Sequence, residues 1–300
     1  MSQRARIAIG GAVGGIVLLM LAWYAAFHIG VVEHADGAAF RAFTGLQRPR
    51  IDQLARFLVQ LCDPKPYVYL CAVPLLVAVA RRRFAVAVAI AAILLGANVT
   101  TQLLKPLLAH PRYAVAVTGI AWSPAGSWPS GHSTAAMSLA LCSVLAAPSW
   151  LRPLLAALGG SFAVAVGYAL LTLGSHLPSD VLGGFLVAGT WTMLAVAALL
   201  VVRERPAPPS TAEGAGHVTV RAALGPPGGA LLAALGLVVI AALARPHDVV
   251  AYARAHEAFM AAAGAIGAIG LALATGVMLT LVSGSDRDPT AAPRRGWRRG

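Results

Sequence analysis

The sequence predicts an all-α protein, a polytopic membrane helix bundle of about eight transmembrane helices. Three observations lead there. Of its 300 residues 58% are hydrophobic and only 11% charged, against about 45–50% and 25% in an average soluble domain. The mean hydropathy is +0.75, and so few charges cannot cover the surface of a water-soluble fold. Apolar runs near the roughly 20 residues that cross a hydrocarbon core also recur along the chain. The same composition excludes a disordered chain, a coiled coil and a disulfide-stapled secreted module.

The first span runs from Ile7 to Ile29, behind Arg4 and Arg6. It is too long for the apolar core of a cleaved signal peptide, about 7–15 residues, and reads as a retained anchor. The second, Tyr67 to Ala80, is short. A surface helix through Phe57–Leu61 extends it backwards, and Arg81, Arg82 and Arg83 stop it. The third runs from Phe84 to Leu104. After a polar, proline-bearing loop come the fourth (Ser133–Ala147), the fifth (Leu154–Leu173) and the sixth (Val181–Val202). A stretch rich in Pro, Glu and Arg, residues 203–228, reads as an exposed cytoplasmic linker. Two additional spans occupy 229–284, as Gly229–Ala244 and Ala261–Val282, and residues 285–300 form a basic tail.

Charge sets the orientation. With the N-terminus inside and eight crossings, the cytoplasmic segments hold 14 basic residues against four acidic ones, or +10 of the chain's +12. That bias fits the positive-inside rule, with both termini cytoplasmic in a plasma membrane. It also accounts for the basic pI without a nucleic-acid partner. Cys62, Cys71 and Cys142 show no CxxC spacing and point to neither a disulfide framework nor a metal. The pairs Gly10/Gly14 and Gly11/Gly15 read as ordinary close helix packing.

Three polar clusters fall at the outer ends of the central spans, where ionisable residues are expensive. Lys105 and Arg112 stand seven apart in K-P-L-L-A-H-P-R, a point charge and a planar fork that both suit phosphate oxygens. Trp128-Pro-Ser130-Gly131-His132 opens the fourth span. Ser caps, Gly permits close approach, and free N–H groups with a positive dipole end make an anion site. His132 lies in that first turn, placed to exchange a proton. His176-Leu-Pro-Ser-Asp180 opens the sixth span, and a carboxylate on one imidazole nitrogen makes the other a better nucleophile or base. Taken singly, these clusters also read as interfacial anchors, a cap with an incidental histidine, and an interfacial His with a capping Asp. Together they supply the parts for phosphoryl transfer through a phosphohistidine.

The order K-x6-R, P-S-G-H, H-x3-D resembles the type 2 phosphatidic acid phosphatase superfamily of integral membrane lipid phosphatases. The resemblance covers roughly Asp36 to Val202 and makes residues 1–202 a six-span phosphatase core. It implies that His176 attacks phosphorus, Asp180 orients it, and His132 protonates the leaving alcohol and then activates water. Lys105, Arg112, Ser130 and the Gly131 N–H would hold the phosphate. It implies no metal or cofactor, and a lipid phosphate as substrate at the extracytoplasmic face. Polyprenyl diphosphate, phosphatidic acid and phosphatidylglycerol phosphate all fit.

Two departures stand out. Arg112 is followed by Tyr113 where the family has proline, and Ala169-Leu170 stand where its third motif opens with Ser-Arg. The loss of one charge-assisted phosphate contact costs about 1.5–3 kcal/mol. It leaves a slower site, compensation by Arg112 or His110, or a different phosphate geometry. A lipid-linked phosphotransferase of the same fold is the alternative. A transporter, or a haem protein using His28, His132 and His176, is a more distant one, because haem ligands belong mid-span on facing helices. His247, Asp248, Arg254, His256 and Glu257 read as a solvated outer connection.

Overall fold

A computed structural model describes residues 1–108, 126–203, 224–231 and 246–282. Arg112, most of the linker, most of the seventh span and the basic tail lie outside the described residues. The helices are α1 (Gln3–His28), α2 (Gly30–Thr44), α3 (Pro49–Gln60), α4 (Pro64–Ala80) and α5 (Phe84–Leu107). They continue as α6 (Gly131–Ala146), α7 (Arg152–Thr172), α8 (Pro178–Arg203), α9 (Pro246–Ala255) and α10 (Glu257–Val282). A further helix covers 224–231, and no strand occurs among the described residues.

Among the described residues five helices, α1, α5, α7, α8 and α10, are long and apolar enough to cross a bilayer. The pair α3 and α4, bent by 59° at its break, makes a sixth candidate. The chain is therefore a multi-pass membrane protein. Helix α6 has 16 residues, or about 24 Å at 1.5 Å per residue, shorter than the hydrocarbon core. It need not reach both lipid surfaces, because α4, α5, α7, α8 and α10 surround it and most of its side chains are buried.

The second span begins earlier than its hydropathy indicates, since Pro64 pre-sets the first helical φ of α4. Helix α2 has no counterpart among the predicted spans. Glu33, His34, Asp36 and Arg41 interrupt its hydropathy, yet it buries one face through Ala39, Phe40, Ala42 and Phe43. Tertiary burial, which no local window sees, forms this helix.

Helix α1 lies along α8, with Gly11 against Met193 and Gly15 against Thr190, while Gly10 and Gly14 meet nothing within 4 Å. Only one of the two small-residue pairs makes a contact. Helix α10 joins the main core, where Ile266, Ala274, Val277 and Met278 are buried with Met137, Leu141, Val166 and Phe185. At one end of the bundle Arg83 donates to the carbonyls of Leu145 and Ala146, in the last turn of α6. The opposite end gathers the polar clusters.

Candidate active site

Each half of the site is a helix start. In α8, Pro178 supplies the first helical residue and Asp180 the third. The Asp180 carboxylate reaches back one turn, and its Oδ2 accepts from the Leu177 N–H at 3.1 Å. A third-position acid reaching back to the cap residue's N–H is one half of a capping box. The same oxygen lies 3.1 Å from Nδ1 of His176. Asp180 is fully buried and the His176 side chain is 13% exposed. With Nδ1 held on a carboxylate, Nε2 carries the lone pair.

A second carboxylate completes this end. Asp36 of α2 accepts from the Ser179 N–H at 3.0 Å and from the Ser179 hydroxyl at 2.6 Å. It satisfies a first-turn donor that α8 cannot satisfy itself. Just before this helix, Gly174 closes α7 with φ +71°, as a left-handed C-terminal residue does at no steric cost. Ser175 N–H then returns to the Leu170 carbonyl at 3.0 Å. These bonds fix where His176 leaves the chain.

In α6, Ser130 is the N-cap and its Oγ accepts from Ser133 N–H. The Gly131 and His132 N–H groups fall in the first turn, which has no intrahelical acceptor. The two starts are laced together. Ser130 N–H donates to the Asp180 carbonyl at 2.9 Å, and the buried Trp128 indole N–H donates to the Ser179 carbonyl at 3.1 Å. The approach is so close that a Cβ on Gly184 would stand 2.6 Å from the Ser130 carbonyl oxygen. Only glycine fits there.

Helix α5 joins through hydroxyls. Thr101 Oγ1 and Thr134 Oγ1 lie 3.0 Å apart, and Lys105 follows Thr101 by one turn on the same face. Lys105 Nζ lies 3.9 Å, and Gln102 Nε2 3.6 Å, from where a Cβ on Gly131 would sit. An ammonium thus stands over the free end of α6. A cavity of about 660 Å³ opens beside it between α4, α5 and α6. Val68, Leu75, Leu94, Leu95 and Val99 form its apolar lining, and Gln102, Lys105, Gly131 and His132 its polar end.

His132 has a partner that the motifs do not contain. Its Nε2 lies 3.0 Å from Oδ1 of Asp63, at the break between α3 and α4, with the side chains 34% and 48% exposed. Next to it, Cys62 lines the same cavity.

Of the residues singled out in the sequence, Lys105, Ser130, Gly131, His132, His176 and Asp180 gather at this end. Arg112 and His110 lie outside the described residues. Asp36, Asp63 and Gln102 carry no motif that marks them in the sequence. Leu170, at the place of the family's third-motif arginine, is 1% exposed within the main core. Its neighbours there include Phe43, Val166, Leu171 and Val181. That position belongs to the packing of α7 and offers no surface for a cation. Among the described residues no group of three or more His, Cys, Asp or Glu could hold a metal ion.

The fold and this end of it define a helical membrane protein with two histidine–aspartate pairs beside the helix start of Ser130, Gly131 and His132. Residues 83–205 match the PAP2 superfamily. A solved structure with the same fold is the first transmembrane PAP2-type phosphatidylglycerolphosphate phosphatase from Bacillus subtilis. It is 18% identical, with a TM-score of 0.54, and the match covers 65% of this chain and 99% of that one. No curated protein matches the chain in sequence. Family and fold together support a lipid phosphatase.

Proposed function

We propose that the protein hydrolyses a lipid phosphate monoester or diphosphate through a phosphohistidine at the extracytoplasmic face. The observation that carries the reading is the His176–Asp180 pair, whose buried aspartate is joined by a backbone bond from Ser130 N–H to the helix start of Ser130, Gly131 and His132. His176 Nε2 attacks phosphorus, and the bond to the lipid oxygen breaks. Lys105, Arg112, Ser130 and the Gly131 N–H hold the phosphoryl oxygens as charge moves onto them. The leaving oxygen takes a proton from His132. Water then attacks the phosphohistidine and gives its proton to His132, which releases inorganic phosphate and restores both histidines.

The apolar lining of the cavity, with its polar end at Lys105 and His132, supports an amphiphilic substrate whose tail lies along α4, α5 and α6. Polyprenyl diphosphate, phosphatidic acid and phosphatidylglycerol phosphate have this shape, and the Bacillus subtilis neighbour is named for the last of them. The Arg81–Arg83 turn lies at the other end of the bundle, so the positive-inside rule supports a plasma-membrane orientation with cytoplasmic termini.

The test is phosphate release from a panel of lipid phosphates by purified protein in detergent. His176→Ala is expected to lower turnover by about 10³-fold or more, because covalent catalysis has no substitute. Full activity in that variant removes the nucleophile.

A further inference from the structure

We infer that Asp63 is the positioning residue of His132, holding the general acid's ring so that Nδ1 faces the leaving group. The inference rests on the proposed function, since it concerns how that site donates its proton.

The local sequence explains why this carboxylate is available. Asp63 occupies the N-cap of α4, where an aspartate normally accepts from the backbone N–H of the second or third helical residue. Here the chain reads Asp63-Pro64-Lys65-Pro66, so the first and third helical residues are prolines without an N–H. Asp63 makes no side-chain cap bond. Its backbone still begins the helix, with Tyr67 N–H donating to its carbonyl at 2.9 Å. The carboxylate, with Pro66 removing one of its two usual donors, instead meets His132 Nε2 at 3.0 Å.

The 59° bend between α3 and α4 brings the two together across 69 residues. Ion pairs this exposed add little to stability, so holding the helices together does not account for the contact. Its consequence for the ring is specific. A carboxylate on Nε2 keeps a proton there and turns Nδ1 into the nitrogen that exchanges one with substrate or water. Asp63 lies outside the 83–205 segment that matches the superfamily. The role belongs to a part of the chain that the family motifs do not reach.

Leaving-group dependence tests this. An alkyl alkoxide needs a proton to depart, whereas p-nitrophenolate leaves without one. Full-length protein in detergent is assayed for kcat/KM on dodecyl phosphate and on p-nitrophenyl phosphate. Asp63→Asn is expected to lower the dodecyl phosphate value about 10- to 100-fold, part of what general acid catalysis supplies. The p-nitrophenyl phosphate value should fall no more than about 3-fold, and Asp63→Glu should recover most of the loss. Equal losses on both substrates, or no loss on either, overturn the inference. If the wild type hydrolyses neither, the reading of the whole site falls first and takes the inference with it.

Discussion

His176 meets its aspartate four residues away, inside one helix start, whereas His132 meets its own across 69 residues and a bent pair of helices. The first pair is sealed: Asp180 is fully buried, and its Oδ2 also holds the Leu177 N–H. The second is open, with Asp63 about half exposed and its helix cap unmade. A nucleophile must present one nitrogen along one line, and a buried, multiply bonded carboxylate gives it a single tautomer and direction. A group that passes a proton to an alcohol and takes one from water must exchange with both. An exposed partner at the cavity mouth permits this. The contrast in burial thus matches the proposed division of labour.

The largest effect should fall on the sealed pair. Asp180→Asn keeps the shape but offers the amide where His176 Nδ1 and Leu177 N–H need an acceptor. Turnover should drop about 10³- to 10⁴-fold on alkyl and aryl phosphates alike, the cost of a wrong tautomer at a catalytic histidine. A loss confined to alkyl phosphates would reverse the roles of the two pairs. Asp63→Asn, with its smaller and substrate-selective effect, is the matching test of the open pair.

The smallest effect on chemistry should come from Leu170→Arg. Its side chain would enter the packed core beside Val166, Leu171 and Val181, where an unpaired charge costs about 3–5 kcal/mol. A lowered melting temperature in detergent without a gain in turnover is the expected result. A rise in turnover would mean that the guanidinium reaches the phosphate, and that the wall behind His176 is open.

The same contrast explains what the sequence could reveal. His176 and Asp180 share one helical turn, so their pairing is written as a spacing, as is the Ser130-Gly131-His132 cap. The long spans among the described residues were legible because hydropathy is a local sum. Helix α2 was not, since its charged residues mask a face that only the bundle buries. Asp36 and Asp63 bond to residues 143 and 69 positions away, a distance no spacing encodes. The Asp-Pro-Lys-Pro run was the available sign of Asp63, a capping residue that finds proline in place of one of its two donors.

Phosphoenzyme trapping at neutral to alkaline pH tests the central claim most directly. Protein quenched during turnover of a labelled aryl phosphate is digested and the modified residue mapped. Label on His176, absent from His176→Ala and longer-lived in His132→Ala, is the expected result. Label on any other residue, or undiminished turnover with none on His176, would contradict it.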